Sequence, residues 1–123
     1  MLAIDSRDLT KIYDGKEVIN RINLKVEIGT VLGLVGAMGS GKTTLIRLIC
    51  GLIKPTSGKI YCLGQELGDS KNKILEEVGY LTQHFSLYNE LTVVENLELI
   101  ARLYQIKNVR SVVEQSIDRF SLN

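Results

Sequence analysis

The sequence predicts an α/β fold arranged around one strand-loop-helix unit, and three observations carry that prediction. An unbroken apolar run, Val31 to Val35, ends at a glycine and leads through a glycine-rich turn into a stretch where Leu45, Ile46, Leu48 and Ile49 recur at helical spacing. Upstream, Val18, Ile19, Ile22, Leu24, Val26 and Ile28 fall mostly on alternate positions, the period of half-buried strands. Downstream, two further apolar stripes at helical spacing bring the sequence to Asn123.

Composition bounds the rest. A length of 123 residues is one domain or part of one. With 45% hydrophobic residues and a net charge of +1 the chain reads as globular, without the excess of positive charge that a dedicated nucleic-acid binder carries, so no nucleic-acid partner is expected. No apolar run approaches the roughly 20 residues of a membrane-spanning helix, and Met1-Leu2-Ala3-Ile4-Asp5 lacks the basic and apolar regions of a signal peptide; a cytoplasmic chain is expected. Cys50 and Cys62 stand alone, without CxxC spacing, and read as buried thiols.

Taken in order, Leu2 to Thr10 predicts a first strand, with Tyr13 just before the turn Asp14-Gly15-Lys16. Val18 to Ile28 predicts one or two antiparallel strands with a bulge, because Asn20 and Arg21 interrupt the alternation. Gly29-Thr30 turns the chain into Val31–Val35, whose lack of polar alternation predicts a strand buried on both faces of a sheet. A helix begins at Lys42 and is stopped by Gly51 and Pro55. Lys54 to Gly58 is a loop, Lys59 to Leu63 a short strand closed by Gly64, and Gln65 to Lys73 a polar, exposed stretch. Lys73 to Glu77 predicts a helical turn, and Val78 to Thr82 a second buried strand. Thr92 and Glu95 have the spacing of a capping box, so a helix starts at Val93, with Val93, Leu97, Ile100 and Leu103 or Tyr104 on one face. After a break at Gln105 to Asn108, a second helix from Val109 places Val109, Val112, Val113, Ile117 and Phe120 in a stripe that packs on the first.

The chemistry concentrates between Gly36 and Thr43, which fit G-x-x-x-x-G-K-[ST]. Glycines let the backbone curl so that consecutive N–H groups point inward at a phosphate chain. The following helix presents its N-terminus, with unpaired N–H groups and a positive dipole end of roughly half a charge. Lys42 adds a mobile full charge for β- and γ-phosphates, and the Thr43 hydroxyl is placed to ligate Mg²⁺. His84 reads as an exposed loop residue.

These residues resemble the N-terminal half of the ATP-binding domain of ABC transporters. Gly36 to Thr44 is similar to that family's Walker A loop, Pro55-Thr56-Ser57-Gly58 to its turn after the P-loop helix, and Val78 to Gln83 to the strand entering its Q-loop. The segments that follow look closest to the multidrug or antibiotic export branch. Met38 departs from the small polar residue usual in the loop. The resemblance implies a P-loop NTPase of the ABC type: a RecA-like core with an antiparallel β-subdomain and the start of a helical subdomain, incomplete within these residues. Over 1–123 it divides into β-subdomain and P-loop core (1–84) and Q-loop exit with the first helices of the helical subdomain (85–123).

The resemblance also implies the site. ATP and Mg²⁺ are the expected ligands, held by Gly36, Gly39, Ser40, Gly41, Lys42, Thr43 and Thr44, with Tyr13 stacked on adenine. Gln83 matches the family's glutamine, which touches Mg²⁺ and the attacking water; with Thr43 it makes up the expected metal contacts. Partners are a second nucleotide-binding domain, giving a dimer in the intact protein, and a transmembrane permease subunit met by the Phe85 to Leu91 region. The place is then the inner face of the cell membrane, peripheral, for export or import. The signature loop, the Walker B strand with its Asp and Glu, and the switch His have no match in this sequence, so no catalytic base is present and no turnover is expected of the chain alone. The implied sheet has Val31–Val35 between strands that these residues do not supply. Alternatives are an inactive truncated fragment, or an ABC-type ATPase outside transport.

Overall fold

The computed structural model describes residues 1–68, 73–84 and 87–122. They form two compact units, Met1–Gly79 and Tyr80–Asn123.

The first unit is an antiparallel sheet with a helix on one face. Strands β1 (Leu2–Tyr13) and β2 (Lys16–Glu27) make a hairpin through Asp14 and Gly15, both at positive φ (49° and 75°). That is the geometry of the two-residue turn that an Asp-Gly pair favours. Strand β3 (Ser57–Cys62) pairs antiparallel with the other edge of β1, and the two-residue β4 (Gln65–Glu66) follows through Leu63 and Gly64, giving the order β2-β1-β3-β4. The first strand is longer than the Leu2–Thr10 expected, because pairing with β2 carries it on to Tyr13.

The expected bulge is present and is held by side chains. Asp8 and Arg21, on facing strands, both have φ 46°. Where the ladder shifts register, the Ser6 hydroxyl donates to the Ile22 carbonyl (3.1 Å) and accepts from the Leu24 N–H (2.9 Å). Thr10 Oγ1 donates to the Asp8 carbonyl and accepts from the Arg21 N–H, each at 3.1 Å. Both hydroxyl residues are buried, so backbone groups that lose their ladder partner find a side chain instead of water.

One sheet face and one helix face make the core. Helix α1 (Lys42–Ile49) is stopped by Cys50 and Gly51 and lays Leu45, Leu48 and Ile49 against Leu9, Ile19, Ile60 and Cys62. Leu9, Leu48 and Ile60 are fully buried. Leu67 also joins the core, a correction to the exposed stretch expected over 65–73, of which 69–72 lie outside the described residues. Its side chain is buried because β4 turns the chain back across β3, whereas Gln65 and Glu66 stay exposed as expected. A short 3-10 turn (Lys73–Glu76) brings Ile74 into the same cluster.

Two expected strands are not formed. Val31–Val35 and Val78–Thr82 lie outside any ladder, and Val31, Val35 and Leu81 are 98%, 99% and 88% exposed. A strand is made by hydrogen bonds to a neighbour, and runs of this apolar kind belong to parallel sheets covered on both faces. The strands among the described residues pair antiparallel with one another, and neither stretch joins their ladders.

The second unit is a helix pair. Helix α2 (Val93–Leu103) opens with the expected capping box: Thr92 Oγ1 accepts from the Glu95 N–H (3.3 Å) and Glu95 Oε2 accepts from the Thr92 N–H (2.7 Å). The Thr92 N–H and hydroxyl, both donating to Glu95 Oε2, hold the Glu95 carboxyl below its ordinary pKa. Helix α3 (Val109–Phe120) packs on α2 with Val113 buried. The buried face of α2 is not the expected stripe, since Asn96 and Ala101 are buried while Val93, Ile100 and Leu103 are exposed. Asn96 explains the rotation. Its carboxamide accepts from the Tyr88 N–H (2.9 Å) and donates to the carbonyls of Tyr88, Leu91 and Thr92 (3.0 to 3.1 Å), stapling the preceding loop to the helix. On α3, Phe120 departs from the expected stripe, being 65% exposed near the helix end.

Candidate functional site

The loop from Gly36 leads into α1, so that Lys42, Thr43 and Thr44 form the first turn of the helix. Gly41 is the N-cap of α1, with φ 92° and no side chain capping the helix. A Cβ there would lie 2.8 Å from the Val18 carbonyl and 3.0 Å from Ile19 Cδ1, and its φ belongs to the left-handed region. Only glycine lets the loop press this closely against β2. The first helical turn is therefore uncapped by side chains and carries no acidic residue.

Lys42 folds back into the loop it follows. Its ammonium donates to the carbonyls of Gly36 (2.7 Å) and Ala37 (2.6 Å) and to Ser40 Oγ (3.3 Å). The Ser40 N–H donates to the Ala37 carbonyl at 3.2 Å, and the Leu45 N–H makes the first helical bond to the Gly41 carbonyl at 2.8 Å. A full positive charge is thus held at the mouth of a helix N-terminus, with Gly39, Ser40 and Thr43 exposed beside it and Thr44 half-buried. Met38 is fully exposed and directed away from the core.

The donor set suits a polyanion. Lys42, the Ser40, Thr43 and Thr44 hydroxyls and the first-turn N–H groups belong to one short segment that includes no carboxylate. For a divalent cation the chain alone offers less. Among the described residues no three His, Cys, Asp or Glu side chains gather to hold a metal.

Tyr13 ends β1 in the same unit as the loop and is 43% exposed. Lys11 Nζ sits 5.0 Å from its ring centroid. Gln83 lies in the second unit at an exposed bend, with the equally exposed His84 beside it. Of the apolar segment after it, Leu87 and Tyr88 are exposed, Leu91 is half-buried, and Phe85 lies outside the described residues. Cys62 is buried and Cys50 half-buried. Burial pushes both thiols up in pKa, which makes them poor nucleophiles.

Sequence reading passed over the residues that brace these positions. Thr56 and Lys11 lace the segment after α1 to the end of β1, and Asn96 fixes the loop before α2. A buried Asn one turn into an amphipathic helix is a signal that could have been noticed; a lysine at a strand end is not.

A sequence model of the family described as ABC transporter matches residues 19–123. Among curated proteins, the chain is 38% identical over 105 residues to the "Probable multidrug ABC transporter ATP-binding protein YbhF" of Escherichia coli (strain K12), covering 85% of this chain and 18% of that protein. It is 37% identical over 111 residues to the "Bacitracin transport ATP-binding protein BcrA" of Bacillus licheniformis, covering 90% of this chain and 36% of that protein. Among solved structures, the "Dimeric structure of a post-hydrolysis state of the ATP-binding cassette MJ0796 bound to ADP and Pi" superimposes with a TM-score of 0.78 at 25% identity, over 94% of this chain and 56% of that one. The chain spans well under half the length of these two curated relatives.

Proposed function

Since the chain belongs to the ABC transporter family, we propose that its Gly36–Thr44 loop binds ATP with Mg²⁺, as part of the ATPase subunit of a membrane transporter. The observation that carries this reading is the loop geometry: an uncapped helix N-terminus beside an ammonium held by the loop carbonyls. Bound ATP would supply the phosphoanhydride whose cleavage drives transport. On this chain Lys42 neutralises the β- and γ-phosphate charge, the backbone N–H groups of 39–44 orient the phosphate chain, and Thr43 contributes its hydroxyl to Mg²⁺. Tyr13 offers its ring to the base, and Gln83 takes the water- and metal-positioning part that its motif assigns.

The division into β-subdomain and P-loop core over 1–84 and helical subdomain from 85 belongs to the same proposal. So do a second cassette as dimer partner, a permease met through residues 85–91, a role in export or import across the membrane, and a place at the inner membrane face. What supports the dimer partner is the similarity to a dimeric cassette bound to ADP and Pi, and what supports the transport role is the match to the ABC transporter family.

The direct test is equilibrium binding of Mg-ATP to the chain and to Lys42→Ala. The reading expects saturable binding in the first that is lost in the second. Equal binding by both would contradict it. The sequence offers no convincing base, so no turnover is expected of the chain alone; phosphate release that disappears in Lys42→Ala would overturn that part.

A further inference from the structure

The end of β1 is fastened to the segment that leaves the phosphate-loop helix by three hydrogen bonds. The Thr56 N–H donates to the Thr10 carbonyl (2.9 Å), the Ile12 N–H donates to Thr56 Oγ1 (3.0 Å), and Lys11 Nζ donates to the Lys54 carbonyl (2.8 Å). Lys11 and Tyr13 are two apart on one strand, so their side chains leave the same face. The ammonium that reaches Lys54 also lies over the Tyr13 ring, 5.0 Å from its centroid. Lys11 is half-buried for this reason, while the ring stays partly open.

We propose that Lys11 is the positioning residue of the base-binding aromatic. Anchored on the Lys54 carbonyl, its ammonium covers one face of the Tyr13 ring and leaves the opposite face for the nucleotide base. A tyrosine at a strand end near a turn is otherwise free about χ1 and χ2, and binding a base would have to order it. Ordering the ring beforehand reduces that entropic cost. The same hydrogen bonds tie the ring to the exit of α1, so the groups that meet base and phosphates ride on one braced unit. The inference rests on the reading of Tyr13 as the base-stacking residue.

The test compares Mg-ATP with inorganic tripolyphosphate, which has no base, on the full chain. The ratio of the two affinities measures what the base adds. Tyr13→Ala should abolish that increment. Lys11→Met keeps the aliphatic stem but loses the charge, and should weaken ATP by about two- to fivefold, the size of an exposed cation–π contact, with tripolyphosphate unchanged. Lys11→Arg, which also stacks on rings, should restore it. Loss of the increment in Tyr13→Ala with none in Lys11→Met overturns the proposal alone; no loss in Tyr13→Ala overturns the stacking reading and the proposal with it. A fall in tripolyphosphate binding by Lys11→Met would show a merely structural lysine and also overturn it. The contact is read without nucleotide by NMR: the Lys11 ε-protons should be shifted upfield by the ring and return in Tyr13→Leu, and their absence from the shifted region in the wild type counts against the proposal whether or not the chain binds ATP.

Discussion

Val31–Val35 and β3 both read as strands in the sequence, the first the more apolar of the two, and they have opposite fates in the structure. Ile60 of β3 is fully buried under α1, while Val35 is 99% exposed. The difference is supplied by neighbours. β3 has β1 on one side and β4 on the other, whereas the stretch before the phosphate loop meets no strand among the described residues. A residue run expresses a preference for extended backbone, but burial belongs to the assembly that receives it.

That contrast can be broken by substitution. Ile60→Ala or Leu48→Ala should cost about 2–5 kcal/mol, because each empties a fully enclosed position. Urea denaturation followed by tyrosine fluorescence would measure it. Much smaller losses would mean that the sheet and α1 are not one cooperative core.

The next largest effect is expected at Gly58, where β3 crosses the bulge. Its φ is 79°, and a Cβ would overlap the Asp8 carbonyl. Gly58→Ala should cost about 1–3 kcal/mol from backbone strain, and more from the overlap. Thr92→Ala should cost about 1 kcal/mol by removing the α2 cap, read as a loss of helical circular dichroism at low denaturant. Val35→Asp, at the exposed end of the contrast, should stay within about 0.5 kcal/mol. A large loss there would show that the stretch packs against something in solution.

The smallest effect is a pH dependence. Glu95 is held below its ordinary pKa by the Thr92 N–H and hydroxyl. Its contribution is therefore fully present above the ordinary carboxylate range and is lost as pH falls through the depressed value. Glu95→Gln should flatten the acid limb of α2 unfolding; an unchanged limb would deny the cap its electrostatic part.

Much of this was legible in the sequence because it is local. The Asp14-Gly15 hairpin, the bulge near Arg21, the start of α1 at Lys42 and the Thr92–Glu95 cap each follow from a few neighbouring residues. The motif of the proposed phosphate loop is local in the same way, spanning eight positions from Gly36 to Thr43. What was missed depends on distant partners. Val31–Val35 and Val78–Thr82 need neighbours to become strands, Leu67 is buried only because β4 returns the chain, and Asn96 turns α2 by reaching back to Tyr88. The Lys11 contacts join residues 43 apart in sequence, which no periodicity reveals.

The central claim is that the first unit carries a working nucleotide loop on a core of its own, without the ladders that Val31–Val35 and Val78–Thr82 lack. A thermal unfolding scan of the chain with and without Mg-ATP, repeated on Lys42→Ala, tests it most directly. A ligand at 100 times its Kd stabilises a folded binder by about 2.7 kcal/mol. The account predicts a cooperative transition that Mg-ATP raises in the wild type and leaves unmoved in Lys42→Ala. A featureless scan, or a shift of equal size in both proteins, would contradict it.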